Sequence, residues 1–106
     1  VHWGGEMGRL PVLQNDAGRE KWGRDHNTYG FSMWLAGGGF KKGYVHGETD
    51  EFGHKAVVDE VRHFDYHATL LKTFGLDHTR LTYKRNGLAA SLTDNQGAKV
   101  VDQLLA

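Results

Sequence analysis

The chain contains no cysteine. That excludes a disulfide framework, a thiolate metal site and a cysteine nucleophile. It also lacks an excess of either charge, with 13 Lys and Arg against 13 Asp and Glu. Nothing in its overall field therefore favours nucleic acid or an acidic membrane as a partner. No apolar run approaches the roughly 20 residues that a membrane-spanning helix needs. The first residues carry no secretory signal pattern. What remains, at 106 residues, fits one domain with a modest core.

Two residue types are abundant instead. Glycine, at 15 residues, stands at about twice its usual share of roughly 7%. It implies many tight turns and close backbone approaches. Seven histidines raise the expectation of metal or proton chemistry modestly. The chain opens on Val1-His2-Trp3, which reads as a strand already under way, so the expectation is a cut through a larger chain.

Residues 4–30 read as a loop, with Pro11, an Asn15-Asp16 pair and several glycines. Loops longer than about 12–15 residues are usually functional or disordered. Trp22, Tyr29 and a charged cluster favour function here. Phe31 to Ala36 is a nearly continuous apolar run ending at Gly37-Gly38-Gly39. Such a run fits a strand buried on both faces, as in a parallel sheet. Tyr44 to His46 and Ala56 to Val61 suit short edge strands, with a turn over Thr49 to Gly53 between them. Asp65 reads as an N-cap for a helix over 66–74, with Tyr66, Leu70, Leu71 and Phe74 at helical spacing and Gly75 as the stop. Asn86-Gly87 predicts a hairpin over 80–93, because both residues tolerate positive φ. A last short helix is expected over Ala98 to Leu105, with Val100, Val101, Leu104 and Leu105 on one face.

Three constellations bear chemistry. In Gly23-Arg24-Asp25-His26 a carboxylate and an imidazole stand side by side, as a hard or borderline divalent metal requires. Arg24 can hold an oxyanion with its planar fork. The alternative is a surface loop in which Asp25 pairs with Arg24 or caps a turn. Gly4-Gly5-Glu6-Met7-Gly8-Arg9 follows the first strand, where open α/β sheets bind ligands. Glu6 would be a metal ligand or base and Arg9 an anion clamp, unless the two simply form a loop salt bridge. His63-Phe64-Asp65-Tyr66-His67 has two histidines at ligand spacing. With Asp65 as the cap, however, His63 falls before the helix and convergence is not expected. The glycines at 37–39 lack the spacing of a phosphate-binding loop and read as a tight turn.

In order, the strings GGEMGR, GRDH, FSMWLAGGGFKKG, GETDEFG, DYHATLLKTFGLDHTRLTY and SLTD span essentially the whole chain. Together they resemble a bacterial domain-of-unknown-function family, number 1501, whose members are sulfatase-like and similar to the alkaline phosphatase superfamily. The resemblance implies an α/β fold: the C-terminal part of a mostly parallel sheet with flanking helices and a C-terminal β-hairpin. Residues 1–106 would then be a C-terminal fragment of one sulfatase-like domain, its N-terminal part missing. The resemblance implies His26 as a metal ligand, with Asp25 and Glu6 beside it, on a divalent ion such as Zn, Ca or Mg. Arg9 and Arg24 would bind substrate, a small sulfate or phosphate ester or a sulfated carbohydrate. The superfamily's nucleophile would lie upstream, leaving this chain without ester hydrolysis of its own. Its usual Asp-His or Asp-Asn pair after the first strand is replaced by Gly5-Glu6. Family members often look exported through a twin-arginine signal. The alternative is a non-catalytic carbohydrate- or partner-binding protein on a degenerate hydrolase fold.

Overall fold

A computed structural model describes residues 1–14 and 18–106; the Asn15-Asp16 pair lies outside the described residues. These fall into two compact units, Val1–Ala36 with Val45–Glu60, and Gly37–Tyr44 with Val61–Ala106. The first carries β1 (His2–Trp3), β2 (Gly8–Arg9), β3 (His26–Asn27), β4 (Trp34–Leu35), β5 (Glu48–Thr49) and β6 (Ala56–Val58). The second carries α1 (His63–Thr73), β7 (Thr82–Arg85) and β8 (Leu88–Ser91).

The expected mostly parallel α/β sheet is not what forms. The described strands make four separate two-stranded sheets, β1–β4, β2–β3, β5–β6 and β7–β8. Every pair is antiparallel. Connectivity gives the reason. Parallel neighbours need a crossover of a dozen or more residues, usually a helix. Between Trp3 and Trp34 the described chain offers only a 3-10 turn at Arg19–Lys21. It instead folds back through β2 and β3 and returns antiparallel, with Trp3 opposite Trp34 and His2 opposite Leu35.

The apolar run 31–36 is likewise not a buried central strand. Only Trp34–Leu35 joins a ladder, and Trp34 remains 57% exposed. A continuous apolar run is buried on both faces only when layers cover both, and a two-stranded sheet has no such layers. Among the described residues the buried apolar side chains are Tyr66 and Ala68 alone. Tyr44–His46 is not a strand either; the hairpin forms at Glu48–Thr49 and Ala56–Val58, around the expected turn.

Polar contacts therefore hold much of each unit. In the first, Asn27 is fully buried. Its Nδ2 donates to the carbonyls of Gly30 (3.2 Å) and His54 (2.8 Å), and its Oδ1 accepts from the Tyr29 amide at 3.0 Å. The Ala56 amide donates to the Tyr29 carbonyl at 3.0 Å. Gly30 packs so closely here that a Cβ would meet Ala56 N at 2.6 Å.

In the second unit α1 begins earlier than expected. Arg62 is the N-cap, and Asp65 is the third residue of the first turn. The Asp65 carboxylate accepts from the Arg62 amide at 3.2 Å, from Arg62 Nε at 3.0 Å and from the Lys99 amide at 2.8 Å. This is the reach-back of a capping box, extended to a distant segment. Tyr66, Ala68 and Thr69 are buried, and Leu70 and Leu71 are half-buried. Beyond the cap residue Phe74, the Gly75 amide bonds to Lys72 O and the Leu76 amide to Leu71 O, both at 2.9 Å. That is a Schellman ending, and it requires the positive φ of Gly75 (75°).

The hairpin forms as expected, with Asn86 and Gly87 at φ 49° and 79°. The helix expected over Ala98–Leu105 does not; a 3-10 turn covers only Asp102–Leu104. Its neighbours are otherwise engaged. The Lys99 amide goes to Asp65, and the Val101 amide goes to Thr69 Oγ1 at 2.9 Å. Donors committed to α1 side chains are unavailable for helical bonds.

Candidate functional site

The two loops singled out in the sequence meet in the first unit. β2 pairs with β3 so that Arg9 lies directly opposite His26, and Gly8 opposite Asn27. Just beyond, the Leu10 amide donates to the Asp25 carbonyl at 2.8 Å. Antiparallel bonds alternate, so Arg9 and His26 form a non-hydrogen-bonded pair, in which opposed side chains share a face and stand closest. The approach is tight on the backbone side. A Cβ on Gly8 would sit 2.8 Å from the Gly30 carbonyl and 2.9 Å from Phe31 Cβ. Glycine at position 8 thus lets the strand carrying Arg9 settle onto the 27–31 segment.

Arg9 Nη1 donates to the Arg24 carbonyl at 3.3 Å. This draws the guanidinium toward the 24–26 loop and leaves its other donors for a ligand. Asp25 turns back, its Oδ1 accepting from the His26 amide at 2.7 Å. Glu6, Arg9, Arg24, Asp25 and His26 are all exposed. Among the described residues no ion pair joins Glu6 to Arg9 or Asp25 to Arg24, so neither arginine is neutralised by the partner its sequence neighbourhood offers.

The metal donors are less well assembled. Among the described residues no group of three or more His, Asp or Glu is gathered as a metal ion would need. Glu6, Asp25 and His26 do not make a complete ligand set by themselves. Asp25 and His26 are adjacent, and any ion they hold must draw further ligands from elsewhere. A shallow depression of about 400 Å³ lined by Lys72, Gly75, Leu76, Asp77, His78 and Val100 belongs to the second unit and includes none of the five.

Sequence reasoning missed two features. Asn27, the polar anchor under His26, reads in sequence as an ordinary loop residue; only its position next to the Asp-His pair hinted at more. With Asp65 as the expected cap, the sequence places His63 outside the helix and gives the two histidines no shared face. With α1 starting at His63 they are exposed residues one turn apart on the same helix, ring centroids 6.5 Å apart.

The class defined so far is a ladder-and-loop protein with an arginine–histidine pair on its surface. The chain belongs to the family described as a protein of unknown function, DUF1501, whose model matches residues 1–105. No curated protein and no solved structure matches it. No helix among the described residues is long and apolar enough to cross a membrane.

Proposed function

We propose that this chain supplies part of the metal and anion site, but not the nucleophile, of a sulfatase-like protein that hydrolyses sulfate or phosphate esters. The observation that carries this reading is the Arg9–His26 pair, which joins two loops separate in sequence and in which Arg9 donates to the Arg24 backbone carbonyl. Among the described residues neither guanidinium has a carboxylate partner, which suits a tetrahedral oxyanion bound by Arg through paired N–H donors. His26 and Asp25 would enter the ligand set of a divalent ion completed by residues beyond this group. When bound, such an ion supplies polarisation of the ester oxygen. The chain's own residues bind and orient the anion: Arg9 from β2 and Arg24 from the loop, with the Arg9 guanidinium donating to the Arg24 backbone carbonyl. The scarcity of buried apolar side chains supports a longer protein in which other segments cover these strands.

A second reading, a non-catalytic carbohydrate- or partner-binding protein, is favoured by one observation: the three expected metal donors do not gather. Binding of 4-nitrophenyl sulfate and 4-nitrophenyl phosphate tests the anion site in both readings. Arg9→Ala and Arg24→Ala should each weaken binding about tenfold or more, as loss of a charged hydrogen bond does. Unchanged affinity in both variants would remove the arginines from the site. Turnover by the longer protein separates the hydrolase from the binding protein.

A further inference from the structure

We propose that His63 and His67 form a second, independent metal site on α1, a two-imidazole chelate for late divalent transition ions, with Cu(II) favoured. The two residues stand at i and i+4 of an 11-residue helix, a spacing that places side chains one above the other on a single face. Both are exposed. Their rings are 6.5 Å apart between centroids and nearly perpendicular, at 84°.

Each ring also rests on an aromatic neighbour. His63 packs on Phe64 at 3.7 Å, and His67 lies 5.4 Å from Tyr66. That contact limits the rotamers each imidazole samples and lowers the entropy lost on chelation. With metal–nitrogen bonds of about 2 Å, two neighbouring imidazoles on one ion have centroids roughly 4.5–5 Å apart. The observed 6.5 Å spacing closes to that range through the side-chain torsions of both exposed histidines.

The donor set decides which ion fits. The carboxylate between the two histidines in sequence, Asp65, is committed to Arg62 and to the Lys99 amide. The site therefore offers two nitrogens, with water completing the shell. Neutral imidazole selects d-block ions over Mg²⁺ and Ca²⁺, and affinity rises to a maximum at Cu(II). No third ligand stands with the pair among the described residues, so the site is open to solvent and exchangeable. Bound metal would bridge the first two turns of α1, the turns that hold the 97–101 segment through Asp65 and Thr69.

The test is a Cu(II) titration of the whole chain followed by electron paramagnetic resonance, at protein concentrations below self-association. All proteins carry His2→Ala, which removes chelation by the terminal amine with His2. The parent and its His26→Ala version should each bind one Cu(II) through two imidazole nitrogens. His63→Gln and His67→Gln should each leave a one-nitrogen signal and weaken binding by on the order of 100-fold, the loss expected when a second tethered contact is removed. Helix circular dichroism shows that the Gln variants stay folded. If one of them unfolds, the nitrogen count of the parent and of the other variant still decides. A one-nitrogen parent, a two-nitrogen signal surviving in both Gln variants, or its loss in His26→Ala would overturn the proposal.

Discussion

Replacing Asn27 by alanine removes three hydrogen bonds from one buried side chain. The Tyr29 amide and the carbonyls of Gly30 and His54 lose their Asn27 partner together. A buried polar group left unsatisfied costs about 1–3 kcal/mol. Water reaches parts of this site, since Tyr29 is exposed, so the lower end applies to each group and the sum is about 3 kcal/mol. Against a typical total of about 5–15 kcal/mol, that is a large fraction. Asn27→Asp is the sharper control. It keeps an acceptor for Tyr29 but loses both donors and buries a charge, so it should be no better than Asn27→Ala. The measurement is urea denaturation combined with hydrogen exchange at the Tyr29 amide. Both variants should lower the midpoint and strip protection from Tyr29. Because Asn27 pairs with Gly8, the residue before Arg9, both should also weaken sulfate ester binding. A stability loss under about 0.5 kcal/mol, the scale of an ordinary surface change, would refute the view that Asn27 organises this unit.

Other expectations concern packing, pH and association. Gly30→Ala should destabilise the first unit by about 1–3 kcal/mol, the usual cost of overpacking, because its Cβ would meet backbone rather than a movable side chain; denaturant midpoints check this, and an unchanged midpoint would mean the two segments separate freely. The Asp65 carboxyl is held below its usual 3.8, first by the Arg62 side chain and then by the Lys99 and Arg62 amides. Its folded value lies under its unfolded one, so its stabilisation is complete well above pH 4 and fades as pH falls through about 4 toward the folded value. Helix ellipticity should drop there in wild type, whereas Asp65→Asn should start less stable and lose that step. Trp3, Trp22 and Trp34 are all exposed, and two-stranded sheets leave open edges. The isolated chain should self-associate, seen as a concentration-dependent blue shift of tryptophan emission in step with sedimentation; a dilute-like spectrum and a monomer at all concentrations would contradict this.

Local chemistry was legible in the sequence where one or two residues decide a conformation. Asn86-Gly87 set the hairpin turn, and Gly75 ended α1, because positive φ selects those residues without reference to the rest of the chain. Pairing direction was not legible. Strands of two residues have no period to read, and whether Trp34 meets its partner parallel or antiparallel depends on the connection, not on the run 31–36. The start of α1 was misplaced because aspartate serves both as an N-cap and at the third helical position; here Asp65 reaches back to Arg62 and also holds the Lys99 amide, 34 residues away. The same tether explains why the apolar pattern of 98–105 did not become a helix. Of the candidate site, the Arg-Asp-His loop was visible as a motif and the Gly-Glu-Met-Gly-Arg segment as a post-strand loop. Their meeting across the β2–β3 ladder, with Gly8 and Gly30 making room and Asn27 beneath, is a long-range packing result that no local pattern encodes.

The most direct test of the hydrolase reading uses the longer protein it requires, wild type and His26→Ala, assayed for bound divalent metal and for 4-nitrophenyl sulfate and phosphate hydrolysis. The expected result is metal and activity in wild type, with metal affinity or activity lowered about tenfold or more in His26→Ala and denaturation midpoints nearly unchanged, since an exposed ligand adds little to the core. Wild-type protein with neither metal nor activity would contradict the hydrolase reading. Metal and activity unchanged in His26→Ala would contradict the assignment of His26 to the site.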